Sequence, residues 1–503
     1  MFQPKFSSKG LIINIDLNSV VWPFLDQALQ EETISEATLY PFVDQYKAIE
    51  GSQVKAISFC VFCQYSTTDS KVWTDYYEKW KSKTENGVEV NYDKQFGSIV
   101  RFNKEYGLDP WKIWFQRTRE LGMEAWLSVR MNDCHCPYDP ASFLRSDFFY
   151  EAREKGWMIG EQYGYKQYCF DYAVPQVRQK MLDYIEEQLD RYDVDALEMD
   201  FMREIHCFDY LNCPDRAGIM NDFVGKVRQR VDAAAKKWGH PIKLTAILMR
   251  DPDQNLVFGF DTATWVKEGW IDHITPAPRW ACCDSDMPIA EWRSRYPGIE
   301  LSAGVMDLLF VRGFISSDVT NALAANYISQ GVDYMYLYNH FLNPYDPPTF
   351  YTNNIKDNMN RTGLPETVFS SRRRHIVLYQ DTCPIGCDPY EPLPFSVTDV
   401  GKSISVSTGY IPEGKQGTLV VGFSEGCPHC TQISVNGLPC RDFRPHAGIP
   451  CQSTDQTILQ SYAAEGVTLL ECSIPLDPIS GRQLVTFAKG NATIAYLEII
   501  IDD

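Results

Sequence analysis

The sequence predicts a (β/α)8 barrel followed by an all-β sandwich, and three observations carry that expectation. Eight short apolar stretches lie before about residue 360, separated by segments of helical length and pattern. Polar and charged residues gather where those stretches end, which is the active-site face of such a barrel. Beyond Asn353 the texture changes to short alternating runs punctuated by turn residues, the pattern of an antiparallel sandwich. A chain of 503 residues is too long for one ordinary core, so two domains are expected, a barrel over 1–360 and a sandwich over 364–503.

The strands follow in order. Leu11–Asp16 is the first and Val54–Phe59 the second, after which an insertion carries Trp73, Tyr76, Tyr77 and Trp80. These aromatics are read either as a sugar-stacking surface or as the insertion's own small core. Asp109-Pro110 signals a helix start, with Ile113, Trp114, Arg117 and Leu121 at helical spacing. Met123–Val129 is the third strand and runs into Arg130-Met131-Asn132-Asp133-Cys134-His135. From Pro175 to Tyr192, apolar residues at 177, 181, 184, 185 and 189 mark an amphipathic helix. The fourth strand, Val194–Asp200, then places Ala196, Glu198 and Asp200 on one face and Leu197, Met199 and Phe201 on the other. Two acids on one face of an apolar strand are costly to bury unless they are paired or used. Ile242–Met249, Ile271–Pro276, Ile299–Val305 and Val332–Tyr338 complete the eight, ending at Arg250-Asp251, Ala277, Asp307, and Asn339-His340.

In the second domain, runs are expected at His375–Tyr379, Ser403–Ser407, Gly417–Phe423, Gln432–Val435, Leu469–Ile474, Gln483–Phe487 and Thr493–Ile501. Turns are expected at Asn436-Gly437 and Gly490-Asn491, and Arg372-Arg373-Arg374 reads as a polar joint between the domains.

Composition narrows the function. Lys and Arg number 47 against 66 Asp and Glu, a net charge of −19 that argues against nucleic acid as a partner. No apolar run is long enough to span a membrane. Residues 1–10 show no signal-peptide pattern, so the sixteen cysteines are read as mostly free thiols in a reducing cytoplasm, and the sequon Asn491-Ala492-Thr493 is discounted. Cys383, Cys387, Cys427 and Cys430 allow a zinc site or a disulfide as alternatives to free thiols. Around His135 and at Cys282-Cys283 no standard ligand spacing occurs, and no phosphate-binding or dinucleotide motif follows any strand, so neither metal nor cofactor is expected.

LEMDFMR, residues 197–203, resembles the strand-four signature of glycoside hydrolase barrels, especially the α-galactosidase-like clan, in which an apolar strand ends on the nucleophilic Asp. Residues 130–135, the surroundings of Arg250, and Thr264–Asp272 are similar to a less characterised group of glycosyl-hydrolase-like barrel proteins. The resemblance covers roughly residues 10–345 and implies a glycosidase with Asp200 as nucleophile or base. The clan's acid falls after strand six, where Ala277–Asp284 offers no match, so carry-over stops at Asp200.

Glycoside cleavage needs one carboxyl to protonate the leaving oxygen and another to attack or to activate water. Asp133, at a neighbouring strand end beside His135, is the preferred acid over Asp251, Asp307 and Glu204. Asp16, Arg130, Asn132, His135, Glu198, Arg203, Arg250, Tyr338 and Asn339 are expected to bind substrate. Glu198, one pleat deeper than Asp200, would orient an arginine or a sugar hydroxyl, or belong to an inner-barrel ion pair. The three arginines at 130, 203 and 250 either neutralise these acids or leave one over for an anionic group on the sugar. The alternatives to a hydrolase are a lyase or isomerase acting on sugar acids, and an inactive sugar-binding protein. Oligomeric state is not set by the sequence.

Overall fold

The structure, a computed structural model, describes residues 6–15, 21–63, 65–75, 98–134, 145–279, 283–306, 316–345, 350–379, 384, 391–447 and 467–502. Eight parallel strands close into a barrel in sequence order: β1 (Leu11–Ile15), β2 (Val54–Phe62), β3 (Glu124–Arg130), β4 (Ala196–Asp200), β5 (Lys243–Met249), β6 (His273–Ala277), β7 (Glu300–Met306) and β8 (Tyr334–His340). Closure is made by β8 pairing with β1, Leu11 opposite Met335 and Ile13 opposite Leu337. The strands are buried along nearly their whole length, because one face fills the barrel and the other meets helices. That is why they read as apolar runs rather than as alternating ones.

Local chemistry sets the helices. Asp109 caps the helix Pro110–Glu120 by accepting from the Lys112 amide at 3.3 Å. Helix Pro175–Arg191 opens on proline and turns Val177, Met181, Tyr184, Ile185 and Leu189 onto the barrel. Trp73 is buried against Phe62, Phe148 and Tyr184, so it belongs to a small core beneath the insertion rather than to a sugar-stacking surface. Tyr76, Tyr77 and Trp80 lie outside the described residues.

The C-terminal region is an antiparallel sandwich of β9 (Arg373–Ile376), β10 (Phe395–Ser396), β11 (Lys402–Ser407), β12 (Gly417–Val435), β13 (Leu438–Pro439), β14 (Arg444–Pro445), β15 (Thr468–Ile474) and β16 (Arg482–Ile501). Two pairs of expected strands each fuse into one long strand, β12 and β16, bent at successive register shifts. Asn436-Gly437 is the expected tight turn, both residues at positive φ between paired Val435 and Leu438. Gly490-Asn491 is not a turn; it continues β16 where the sheet closes up. A side chain at Gly490 would meet Thr431, and one at Gly426 would meet the Asn491 carbonyl.

The sandwich sits on helix Ser317–Ser329, which is buried almost all round because the barrel covers one side and β9 the other. Gly409, at φ +61°, lets the chain approach the Ala325 carbonyl so closely that no Cβ fits. Arg372 bridges Asp318 of that helix and Asp502, whereas Arg373 is fully buried and donates to the Tyr410 carbonyl at 2.9 Å. The segment after β6 also joins the two layers. Asp284 holds Arg250 of the barrel rim at 2.5 Å, and Asp286 holds Arg482 of the sandwich at 2.6 Å.

Candidate active site

Inside the barrel, β2, β4 and β8 contribute a buried polar layer. Glu198 accepts from the Ser58 hydroxyl at 2.6 Å and from the Tyr336 hydroxyl at 2.8 and 2.9 Å. Burial pushes its carboxyl up to about 7; the Ser58 and Tyr336 hydrogen bonds oppose this, and the charge of Asp200 adds to it. The described partners of Glu198 are therefore hydroxyls rather than an arginine.

One pleat nearer the rim stands Asp200, 1% exposed. Its Oδ2 accepts from the Tyr338 hydroxyl at 2.8 Å, and its Oδ1 takes the amides of Met202 at 2.8 Å and Arg203 at 3.1 Å. The chain turns sharply after β4, which aims those amides back at the carboxylate that ends the strand. Burial raises the Asp200 carboxyl, against the pull of Arg130, Tyr338 and the two amides.

Arg130, the last residue of β3, links this carboxylate to a second one. Its Nε lies 4.0 Å from Asp200 Oδ2 and its Nη1 3.5 Å from Asp133 Oδ2. One guanidinium reaching both keeps the Oδ2 atoms of Asp133 and Asp200 within about 10 Å of each other. Arg203 Nε is 3.6 Å from the same Asp133 oxygen, and the Cys63 thiol stands 3.7 Å from it. Arg130 also donates to Asn339 Oδ1 at 3.2 Å; Asn339, at φ 51°, is fixed in turn by Asn14.

Other expected site residues are placed differently. Asn132 is a loop clamp: it donates to the Phe170 and His206 carbonyls, both at 3.0 Å, and accepts from the Phe170 amide at 2.9 Å. Arg250 pairs with buried Asp284 and donates to the Asp286 carbonyl, away from Asp133 and Asp200. Asp251 caps the helix Pro252–Phe258 through the Asp253 and Gln254 amides. Glu204 is held by Arg279 at 3.2 Å and lies close to the thiols of Cys134 and Cys169, the one described cluster with metal-ligating donors. Arg130, Arg203 and Arg250 are each paired with a carboxylate, so the geometry does not single out an anionic sugar. Asp16, His135 and Asp307 lie outside the described residues.

Sequence reasoning missed Ser58, Cys63 and Tyr336. Tyr336 had a signal, since it lies two residues before Tyr338 on the same strand face. Cys63 had less: β2 runs three residues past its expected end, carrying that thiol to the rim.

The fold and site define a closed parallel barrel with two buried carboxylates and a bridging arginine at its C-terminal rim. No family model matches the chain, and no curated protein does. Solved structures similar to it include α-L-fucosidase isoenzyme 1 of Paenibacillus thiaminolyticus, with 11% identity, TM-score 0.35 and 97% of both chains covered. An α-galactosidase of Geobacillus stearothermophilus in complex with stachyose shows 9% identity and TM-score 0.36, covering 98% of this chain and 56% of that one. A cycloisomaltooligosaccharide glucanotransferase of Paenibacillus sp. shows 10% identity and TM-score 0.35, with 97% of this chain matched; the chain spans just 57% of its length. At such scores these likenesses decide nothing about activity, and the barrel rests on its own strand ladder. No helix among the described residues is long and apolar enough to cross a membrane.

Proposed function

We propose that the chain is a glycoside hydrolase that cleaves an O-glycosidic bond in an oligosaccharide or glycoside, with Asp200 and Asp133 as its two carboxyl groups. The observation that supports this reading is the pair itself: two buried carboxylates at the C-terminal rim, joined by Arg130. Asp200 is the nucleophile or base. Its described hydrogen bonds all come from donors, which suits a carboxylate that must present negative charge to an oxocarbenium-like centre. Asp133 is the acid. Its Oδ2 faces the guanidiniums of Arg130 and Arg203 at 3.5 and 3.6 Å, and bound sugar hydroxyls would compete with it for those donors. Tyr338 and Asn339 are positioning residues, the first acting on Asp200 and the second on Arg130.

The test is a panel of aryl glycosides and natural oligosaccharides, assayed with the wild-type protein, Asp200→Asn and Asp133→Asn. Hydrolysis by the wild type and its loss in both variants, each still folded by circular dichroism, is the expected result. Wild-type turnover in Asp200→Asn ends the assignment, as does a panel on which the wild type hydrolyses nothing.

A further inference from the structure

We infer that Cys134, Cys169 and Glu204 form a binding site for a borderline-soft divalent cation, zinc before others, that ties together the loops carrying Asp133 and Arg203. Cys134 Sγ lies 3.3 Å from Cys169 Sγ, and a carboxylate oxygen of Glu204 stands within 4.8 Å of both. All three residues are buried. Three donor atoms so close share the reach of one ion, given metal–sulfur bonds of about 2.3 Å and metal–oxygen bonds of about 2.0–2.2 Å.

The second observation is the state of Glu204. Arg279 engages its Oε1, while Oε2 is buried with no hydrogen-bond partner among the described residues. A buried carboxylate oxygen in that condition calls for a cation or a donor. A disulfide between the two cysteines would leave the oxygen as it is. It would also need the sulfurs at about 2.05 Å, whereas two thiolates on one tetrahedral zinc stand ~3.8 Å apart, nearer the 3.3 Å seen here.

The donor set selects the ion. Calcium and magnesium take oxygen ligands, whereas two sulfurs and one carboxylate suit zinc or its soft neighbours. Binding expels one proton from each thiol to solvent. The two thiolates and the carboxylate then exceed the ion's charge by one, and Arg279 beside Glu204 offsets that excess. Three protein donors leave a fourth position for water.

The ligands are also held ready. Asn132 fixes Phe170, which adjoins Cys169, and the His206 carbonyl, two residues past Glu204. The Cys169 carbonyl accepts from Ile159, and its amide donates to Lys166. Such outer clamps are what orient metal ligands. Because Cys134 follows Asp133 and Glu204 follows Arg203, an ion here would brace the Asp133–Arg203 pair through the chain neighbours of both.

The experiment uses the full chain and does not involve glycoside turnover, so it stands or falls apart from the hydrolase assignment. Protein purified without chelator is measured for metal, then stripped and titrated with cobalt(II). One zinc per chain and a thiolate-to-cobalt charge-transfer band in the near ultraviolet are expected. Cys134→Ser and Cys169→Ser should each abolish the band, and Glu204→Gln should weaken cobalt binding at least about tenfold. Cys427→Ser, in the partly exposed C-x-x-C of the sandwich, should change neither result. If the serine variants do not fold, the wild-type band and the Glu204→Gln titration decide. No charge-transfer band, a band that survives in Cys134→Ser, unchanged affinity in Glu204→Gln, or a Cys134–Cys169 disulfide found by peptide mapping would overturn the inference.

Discussion

At the N-terminal end of the barrel, Glu124, Lys243, His273 and Glu300 are each the first residue of their strand. They form one group: Lys243 lies 2.9 Å from Glu300 and 3.2 Å from Glu124, Lys9 lies 2.6 Å from Glu300, and the His273 ring is 3.7 Å away. Water reaches this end, and His273 together with the two lysines holds the Glu300 carboxyl well below the usual carboxylate range. At the opposite end the same residue type lives differently. Glu198 and Asp200 are sealed from water, their nearest guanidinium stands 4.0 Å from Asp200, and burial raises both carboxyls. One end of the barrel stabilises its charges; the other holds charges that burial disfavours. Such tension is characteristic of sites that do chemistry.

The largest effect expected from this contrast is on turnover. Asp200→Asn should keep the fold and lower kcat by ~10³-fold or more on whichever glycoside the wild type hydrolyses, measured at matched protein concentration. A loss of less than tenfold would place Asp200 with the structural carboxylates.

The next is a stability change of opposite sign at the two ends. Because Glu198 has a folded pKa of about 7, raised from 4.5, its protonated form favours folding below pH 4.5, and that advantage is lost as pH rises through 7. Glu198→Gln should therefore stabilise the protein at pH 8 by about 3 kcal/mol and change little at pH 4, read by denaturant unfolding. Glu300 is the reverse, its stabilising contribution present above pH 4.5 and lost as pH falls toward its lowered pKa. Glu300→Gln should destabilise at pH 7 by about 1–2 kcal/mol, with the difference shrinking on acidification. Equal pH dependence in the two variants would erase the contrast between the ends.

The smallest effect comes from a carboxylate at the rim that behaves like one at the base. Asp251→Ala removes a helix cap and should cost about 1 kcal/mol in unfolding experiments without altering turnover. A large loss of activity there would return Asp251 to the list of acids.

What the sequence disclosed follows from locality. Each barrel strand was legible as an apolar run, and the described ends fall within three residues of expectation, because burial on both faces leaves no alternation to confuse. Asp200, Asp133 and Arg130 were legible because a charge at the end of an apolar strand is conspicuous. What stayed hidden was contact across the chain. Nothing near Glu198 announces Ser58 and Tyr336, about 140 residues away on either side. Nor does Cys134 announce Cys169, since the loop between them has no recognised ligand spacing. Asn132 looked like a ligand residue because polar residues at strand ends invite that reading, yet its amide serves three backbone groups of neighbouring loops. Gly490 looked like a turn because glycine does two jobs, bending chains and permitting close approach, and only the partner strand tells which.

The twenty residues of β16 have a consequence in time. Strands β9, β10 and β11 each pair with β16, and no other strand ladder is formed by them among the described residues. Ile376 of β9 meets Glu498, about 120 residues further along the chain. At synthesis rates of about 5–20 residues per second, β9 therefore waits on the order of ten seconds for its partner. Through that interval the barrel strands already have all their neighbours, while three short strands trail behind with open backbone edges that invite foreign pairing. A ribosome stalled before residue 482 would hold the chain in that state, so slower translation across the last stretch of the sandwich lengthens the time those edges stay open.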